Sequence, residues 1–201
     1  MLYYKFLIVL FYFVQGFTLF SQPMNDKHAS ISLSECSSYL IYNPVTTINS
    51  IYLENVSSIE NNILFNGLKF NEFIPEIRLL TNNKKQALVI SIHPGSILKE
   101  FAQFRVFYTK NDTKPTDLVS KKNVFITESG IMLGISLDKL LNIKGKPTIR
   151  NEKKGLSILC YRIDSIKSSN FLKRYNMPEY VAEYVFKDNH LVTFKFGFTY
   201  P

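Results

Sequence analysis

Tryptophan is absent from the 201-residue chain, cysteine occurs twice and histidine three times. None of the histidines, His28, His93 and His190, stands at metal-ligand spacing from a cysteine or carboxylate, so neither a metal nor a cofactor is expected. The eight glycines form no glycine-rich phosphate loop, which removes the usual sign of nucleotide binding. The formal charge of +8 comes from 24 Lys and Arg against 16 Asp and Glu. These charges are scattered rather than gathered into a stripe, so nucleic acid is not an expected partner and a soluble basic surface is. No internal repeat and no low-complexity segment stands out.

What is present begins with a leader. Residues 1–20 carry one early cation, Lys5, and then an almost uninterrupted apolar run over 6–20. A spanning helix needs about 20 apolar residues, and this run is shorter and broken by Gln15 and Gly16. Residues 1–22 therefore read as a signal peptide, with cleavage after Gly16 or near Ser21 and Gln22. No cysteine near these sites offers a lipid attachment point. Export to the periplasm or the extracellular space follows, and membrane contact is expected only if the leader is retained. Residues 23–38 are polar and Ser-rich and read as a flexible lead-in.

The rest is rich enough in apolar residues for a real core. Aromatics reach 14%, with 12 Tyr and 17 Phe, which favours strands. Residues 39–122 read as a mainly β region. Residues 87–92 form an apolar run closed by His93-Pro94-Gly95-Ser96. Over 104–108 Phe104, Val106 and Tyr108 alternate with Arg105 and Phe107, so the two runs suit one antiparallel sheet. Residues 110–122, with Pro115 and several charges, suit a boundary.

Residues 125–147 have the clearest punctuation. Ser136 is a good N-cap; Leu137, Leu140 and Leu141 follow at helical spacing; Lys144 suits the negative end of the dipole; Gly145 and Pro147 end the helix. Gly130 belongs to a turn and Gly134 lets the chain enter the helix. A strand is predicted over 156–163 after a charged turn at 151–155, and 166–177 reads as a polar connection ended by Pro178. Alternation over 180–186 and 192–198, around Lys187-Asp188-Asn189-His190, predicts a hairpin. The expected fold class is α+β: a short helix packed on an antiparallel three-stranded sheet in residues 123–201, preceded by the mostly β region.

Gly134-Ile135-Ser136, Leu140 and Gly145-Lys146-Pro147, followed by a strand bearing Tyr161 and a hairpin of the type YVFKDNHLVTF, resemble the signature of BamE/SmpA-like modules. The resemblance covers residues 130–198. Similar modules also build β-lactamase-inhibitor-like proteins, in which the sheet is a binding surface. The resemblance implies the fold more than a function.

Two readings of the cysteines stay open: Cys36 and Cys160 pair in a disulfide, worth up to about 4 to 5 kcal/mol for so long a loop, or Cys160 is a buried free thiol. Glu128 and Asp138 flank the helix entry and suit either an acid pair or the helix dipole. No catalytic residue is assigned, and an enzyme is the less favoured reading. The expected function is a non-enzymatic exported module that binds an envelope or extracellular protein through a face or edge of its sheet. Tyr180, Tyr184, Phe194 and Phe196 are its candidate binding surface, with the plain core as the competing assignment. The alternative is a small secreted hydrolase using loop residues near His93, with Ser96 as nucleophile.

Overall fold

The protein is described here by a computed structural model that covers residues 44–64, 75–96, 98, 100–110 and 113–199. The expected leader and lead-in, and Cys36, lie outside the described residues. A small antiparallel hairpin comes first, β1 (Thr47–Ile48) with β2 (Ile51–Tyr52), and a 3-10 helix (Val56–Asn62) follows. The main chain of strands then runs β3 (Glu76–Leu80), β4 (Gln86–Ile92), β5 (Phe101–Tyr108) and β6 (Leu118–Val119). After α1 (Leu137–Lys144) come β7 (Ile149–Lys153), β8 (Leu156–Ile163), α2 (Asn170–Tyr175), β9 (Glu179–Lys187) and β10 (His190–Thr199).

Eight of these strands form one sheet in the order β6-β3-β4-β5-β10-β9-β8-β7. Every neighbouring pair is antiparallel except β3 with β6, so the sheet is mixed. This corrects the expected fold class. The C-terminal part does not end as a short helix on a three-stranded sheet: β10 has a second edge, and β5 occupies it with Phe196 opposite Phe104 and Gly197 opposite Gln103. Alternation tells that a strand has two faces but not who pairs with each edge, because main-chain N–H and C=O groups are the same in every residue. The residues expected as a charged turn, 151–155, are mostly strand for a related reason. β7 is almost wholly exposed beyond Ile149 and so lacks an apolar period.

The seam between β5 and β10 depends on one glycine. Gly197 has φ +148°, and a Cβ there would stand 2.2 Å from the Ala102 carbonyl oxygen. Glycine alone lets the two backbones come this close.

The core lies on one face of the sheet. Ile77, Leu79, Leu88, Ile90, Phe104 and Val106 continue across the seam into Phe194, Phe196, Phe198, Ala182, Tyr184, Leu159 and Tyr161. Phe104 meets Phe196 edge-on with ring centroids 5.5 Å apart, and Tyr161 meets Tyr184 edge-on at 5.7 Å, both favoured aromatic arrangements. The two short helices, the first hairpin and the 3-10 helix cover this face through Leu140, Leu172, Ile48, Ile51 and Ile59.

Caps and polar pins hold the cover in place. The Ser136 hydroxyl accepts from the Lys139 N–H, and Gly145, at φ 75°, donates its N–H to the Leu141 carbonyl. In α2 Ser169 accepts from the Leu172 N–H, and Asn176 takes the left-handed conformation that ends the helix. The buried Tyr180 hydroxyl donates to the Val45 carbonyl at 2.8 Å and accepts the Val45 N–H at 3.0 Å. Next to it the Glu128 carboxylate accepts from the N–H and hydroxyl groups of both Thr46 and Thr47. Residues 45–47 are thus tied to the sheet and to the 125–135 loop by side chains rather than by strand pairing.

Candidate binding face

The second face of the sheet is built from the alternate residues of the same strands. Its register lines up one row across the molecule: Arg78, Val89, Arg105, Lys195, Glu183, Cys160 and Ile149. Along this row the chemistry changes. On β8 and β9 the neighbours are Ile158, Val181 and Val185, which with Cys160 form a second buried apolar cluster, joined by Ile149, Leu156 and Val192. All of these residues belong to the sheet itself, and no apolar residue of a described helix is among them.

On β3 to β5 the row is cationic. Arg105 is exposed, and its guanidinium lies 5.3 Å from the centre of the Phe107 ring; that of Arg78 lies 5.9 Å from the same ring. The half-buried phenyl is therefore held between two arginines, a contact the ring quadrupole favours. Arg78 also reaches the buried Asp117 carboxylate at 3.3 Å. On β10 Lys195 pairs with Glu183 at 3.6 Å. Farther along, Arg162 pairs with Glu179, whose other oxygen accepts from the Thr199 hydroxyl at 2.9 Å. These pairs leave Arg105 as the exposed cation of the row, beside an aromatic ring partly open to solvent.

Other candidates have different surroundings. His93 is buried, and its Nε2 lies 2.5 Å from Glu54 Oε1. Ser96 Oγ faces Glu100 Oε2 at 3.4 Å and joins His93 through its own N–H to the His93 carbonyl. The two side chains thus belong to separate pairs, whereas serine hydrolysis needs the imidazole against the hydroxyl. Glu128 is occupied by Thr46 and Thr47, and Asp138 sits in the first turn of α1, where the dipole favours it. No group of three or more potential metal ligands occurs among the described residues.

Lys144 is the least expected of the polar groups. It is 4% exposed and its ammonium lies 6.0 Å from the centre of the Tyr161 ring. Burial lowers its pKa to about 8, against a smaller opposing effect of the Glu128 charge. Beside it the Tyr161 hydroxyl donates to the Gly145 carbonyl at 2.9 Å, and burial pushes that hydroxyl and the Tyr184 hydroxyl well up. A groove of about 490 Å³ opens next to this helix end, lined by Leu141, Gly145, Lys146, Pro147, Thr148 and Arg150.

The aromatic residues expected as a binding surface are elsewhere. Tyr180, Tyr184, Phe194 and Phe196 are at most 1% exposed and lie in the main core. The period that marks them as one face is the same for a core face and a recognition face, and the core has claimed them. Cys160 carries a disulfide rather than a free thiol; its expected partner, Cys36, lies outside the described residues. Arg78, Arg105 and Phe107 were not among the expected site residues. Their signal was the opposite phase of the β5 alternation, in which Arg105 and Phe107 fall together. No family model, no curated protein and no solved structure matches the chain.

Proposed function

We propose that this chain is an exported, non-enzymatic binding protein that receives an envelope or extracellular protein on the β3 to β5 part of its second sheet face. The observation that carries the reading is the Phe107 ring beside both Arg78 and exposed Arg105, on the face opposite the core into which the described helices pack. An aromatic ring beside an arginine is the composition that interface centres favour over other surface. The basic row suits a partner that presents carboxylates, and complementary charge raises the rate of encounter.

The test is capture from envelope and culture-fluid extracts with the wild-type protein and with Arg105→Glu and Phe107→Ala. A stoichiometric partner held by the wild type and lost by both variants supports the reading. A partner retained equally by all three places recognition on another surface, and the absence of any stoichiometric partner argues against a binding role.

A further inference from the structure

We infer that β7 is a homotypic edge: two copies of this chain join β7 to β7 in one antiparallel register centred on Asn151. β7 closes the sheet order, and its residues from Arg150 onward are exposed, with Arg150 and Glu152 side chains 51% and 58% accessible. Among the described residues no strand pairs with this outer edge.

The direction of its free main-chain groups follows from the hairpin. β7 and β8 are joined by Lys154 and Gly155 alone, both at positive φ (53° and 75°), and Lys153 stands opposite Leu156. In such a two-residue loop the closing pair exchanges both hydrogen bonds. The bonded positions then alternate, so Lys153, Asn151 and Ile149 turn their N–H and C=O groups toward β8, and Arg150 and Glu152 turn theirs outward.

The side chains choose the register. With Asn151 opposite Asn151 of the second copy, Arg150 faces Glu152 of that copy and Glu152 faces its Arg150. Both pairs then fall at positions whose main-chain groups bond across the edge. Sliding the register by two residues in either direction places Arg150 opposite Arg150 or Glu152 opposite Glu152, and like charges directly opposite are unfavourable. Mixed charge on an edge strand ordinarily keeps sheets apart, but this alternation opposes the shifted pairings and favours one. Within one chain Arg150 reaches Glu152 at 3.2 Å and the Ser157 hydroxyl donates to the Glu152 carboxylate at 2.7 Å, so both side chains already lie on the same side of the strand. A two-fold axis through the Asn151 pair, perpendicular to the sheet, makes the contact isologous and closed. The two sheets then continue into one, with the basic face of each copy left free, so the edge contact does not depend on the binding role proposed above.

The test is sedimentation analysis of the purified protein to about 1 mM, the range in which weak association becomes measurable, for the wild type, Arg150→Glu, Glu152→Arg and the double exchange. The wild type is expected to dimerise. Each single reversal puts like charges opposite in both pairs and weakens association about tenfold. The double exchange restores complementarity and returns the dimer. Glu152→Pro, which removes one outward N–H while keeping the pairing with β8, abolishes the dimer with the circular dichroism of the monomer unchanged. Arg105→Glu leaves dimerisation as it is, which separates this contact from the face that receives another protein. A wild type that stays monomeric, or a dimer indifferent to both single reversals, overturns the inference.

Discussion

The two faces of the eight-stranded sheet share every backbone atom and divide the work. One is continuous aromatic and aliphatic packing from Ile77 to Tyr161 beneath two helices. The other carries a cationic row on β3 to β5 and a small apolar cluster on β8 and β9. What separates them is the phase of each strand, since a shift of one residue would exchange the faces. Stability is therefore expected to reside on one phase and recognition on the other, and substitutions that respect or violate this division test it.

The largest effect is expected where the faces cannot be separated because the backbones themselves touch. Gly197→Ala drives a Cβ into the Ala102 carbonyl at 2.2 Å, and neither backbone can yield without opening the β5–β10 seam. A loss above about 4 kcal/mol, or failure to fold, is expected in urea denaturation.

Next comes Lys144, a buried cation on the core side. The pKa of Lys144 falls to about 8 on folding, so the folded state binds fewer protons than the unfolded state between that value and the ordinary 10.5. Wild-type stability should rise with pH through that interval. The Tyr161, Tyr180 and Tyr184 hydroxyls act in the opposite sense, because burial raises them above 10.0. Their contribution is complete below that pH and is lost above it, so the maximum should fall near pH 10. Lys144→Met should remove the rise of stability between about pH 8 and 10.5. A variant with an unchanged pH profile would show that Lys144 is not the group responsible.

Smaller changes follow. The Tyr184 hydroxyl is buried and has no hydrogen-bond partner among the described residues. Tyr184→Phe keeps its packing against Tyr161 and should gain about 1 kcal/mol in thermal unfolding; a loss would reveal a partner. On the other face, Arg105→Glu should alter stability by no more than about 0.5 kcal/mol while reversing the charge presented to a partner.

Local structure was legible because its causes are local. Ser136, Gly145 and Pro147 mark one helix, and the periods of 180–186 and 192–198 mark one hairpin; the turn between those strands places Asp188 and Asn189 at positive φ. The sheet was not legible. Nothing in the side chains of β10 announces β5 as its second neighbour, and Gly197, which permits the contact, has no side chain to read. α2 escaped notice because six residues are too few to show a helical period among Asn170, Lys173 and Arg174. Of the site, the pairing of Arg105 with Phe107 was visible in the alternation, but the contribution of Arg78 depends on β3 lying one strand beyond β4. Lys144 suits the negative end of the helix dipole by its position alone, and only the fold places Tyr161 beneath it.

Phe104 and Phe107 give the comparison its sharpest form, being three residues apart on β5 and on opposite faces. Urea denaturation of Phe104→Ala and Phe107→Ala in parallel measures what each face contributes. Phe104, fully buried against Phe101 and Phe196, should cost about 3 to 5 kcal/mol. Phe107, half-buried between two arginines, should cost about 1 kcal/mol. Equal losses at the two positions would contradict the division into a core face and a more open second face.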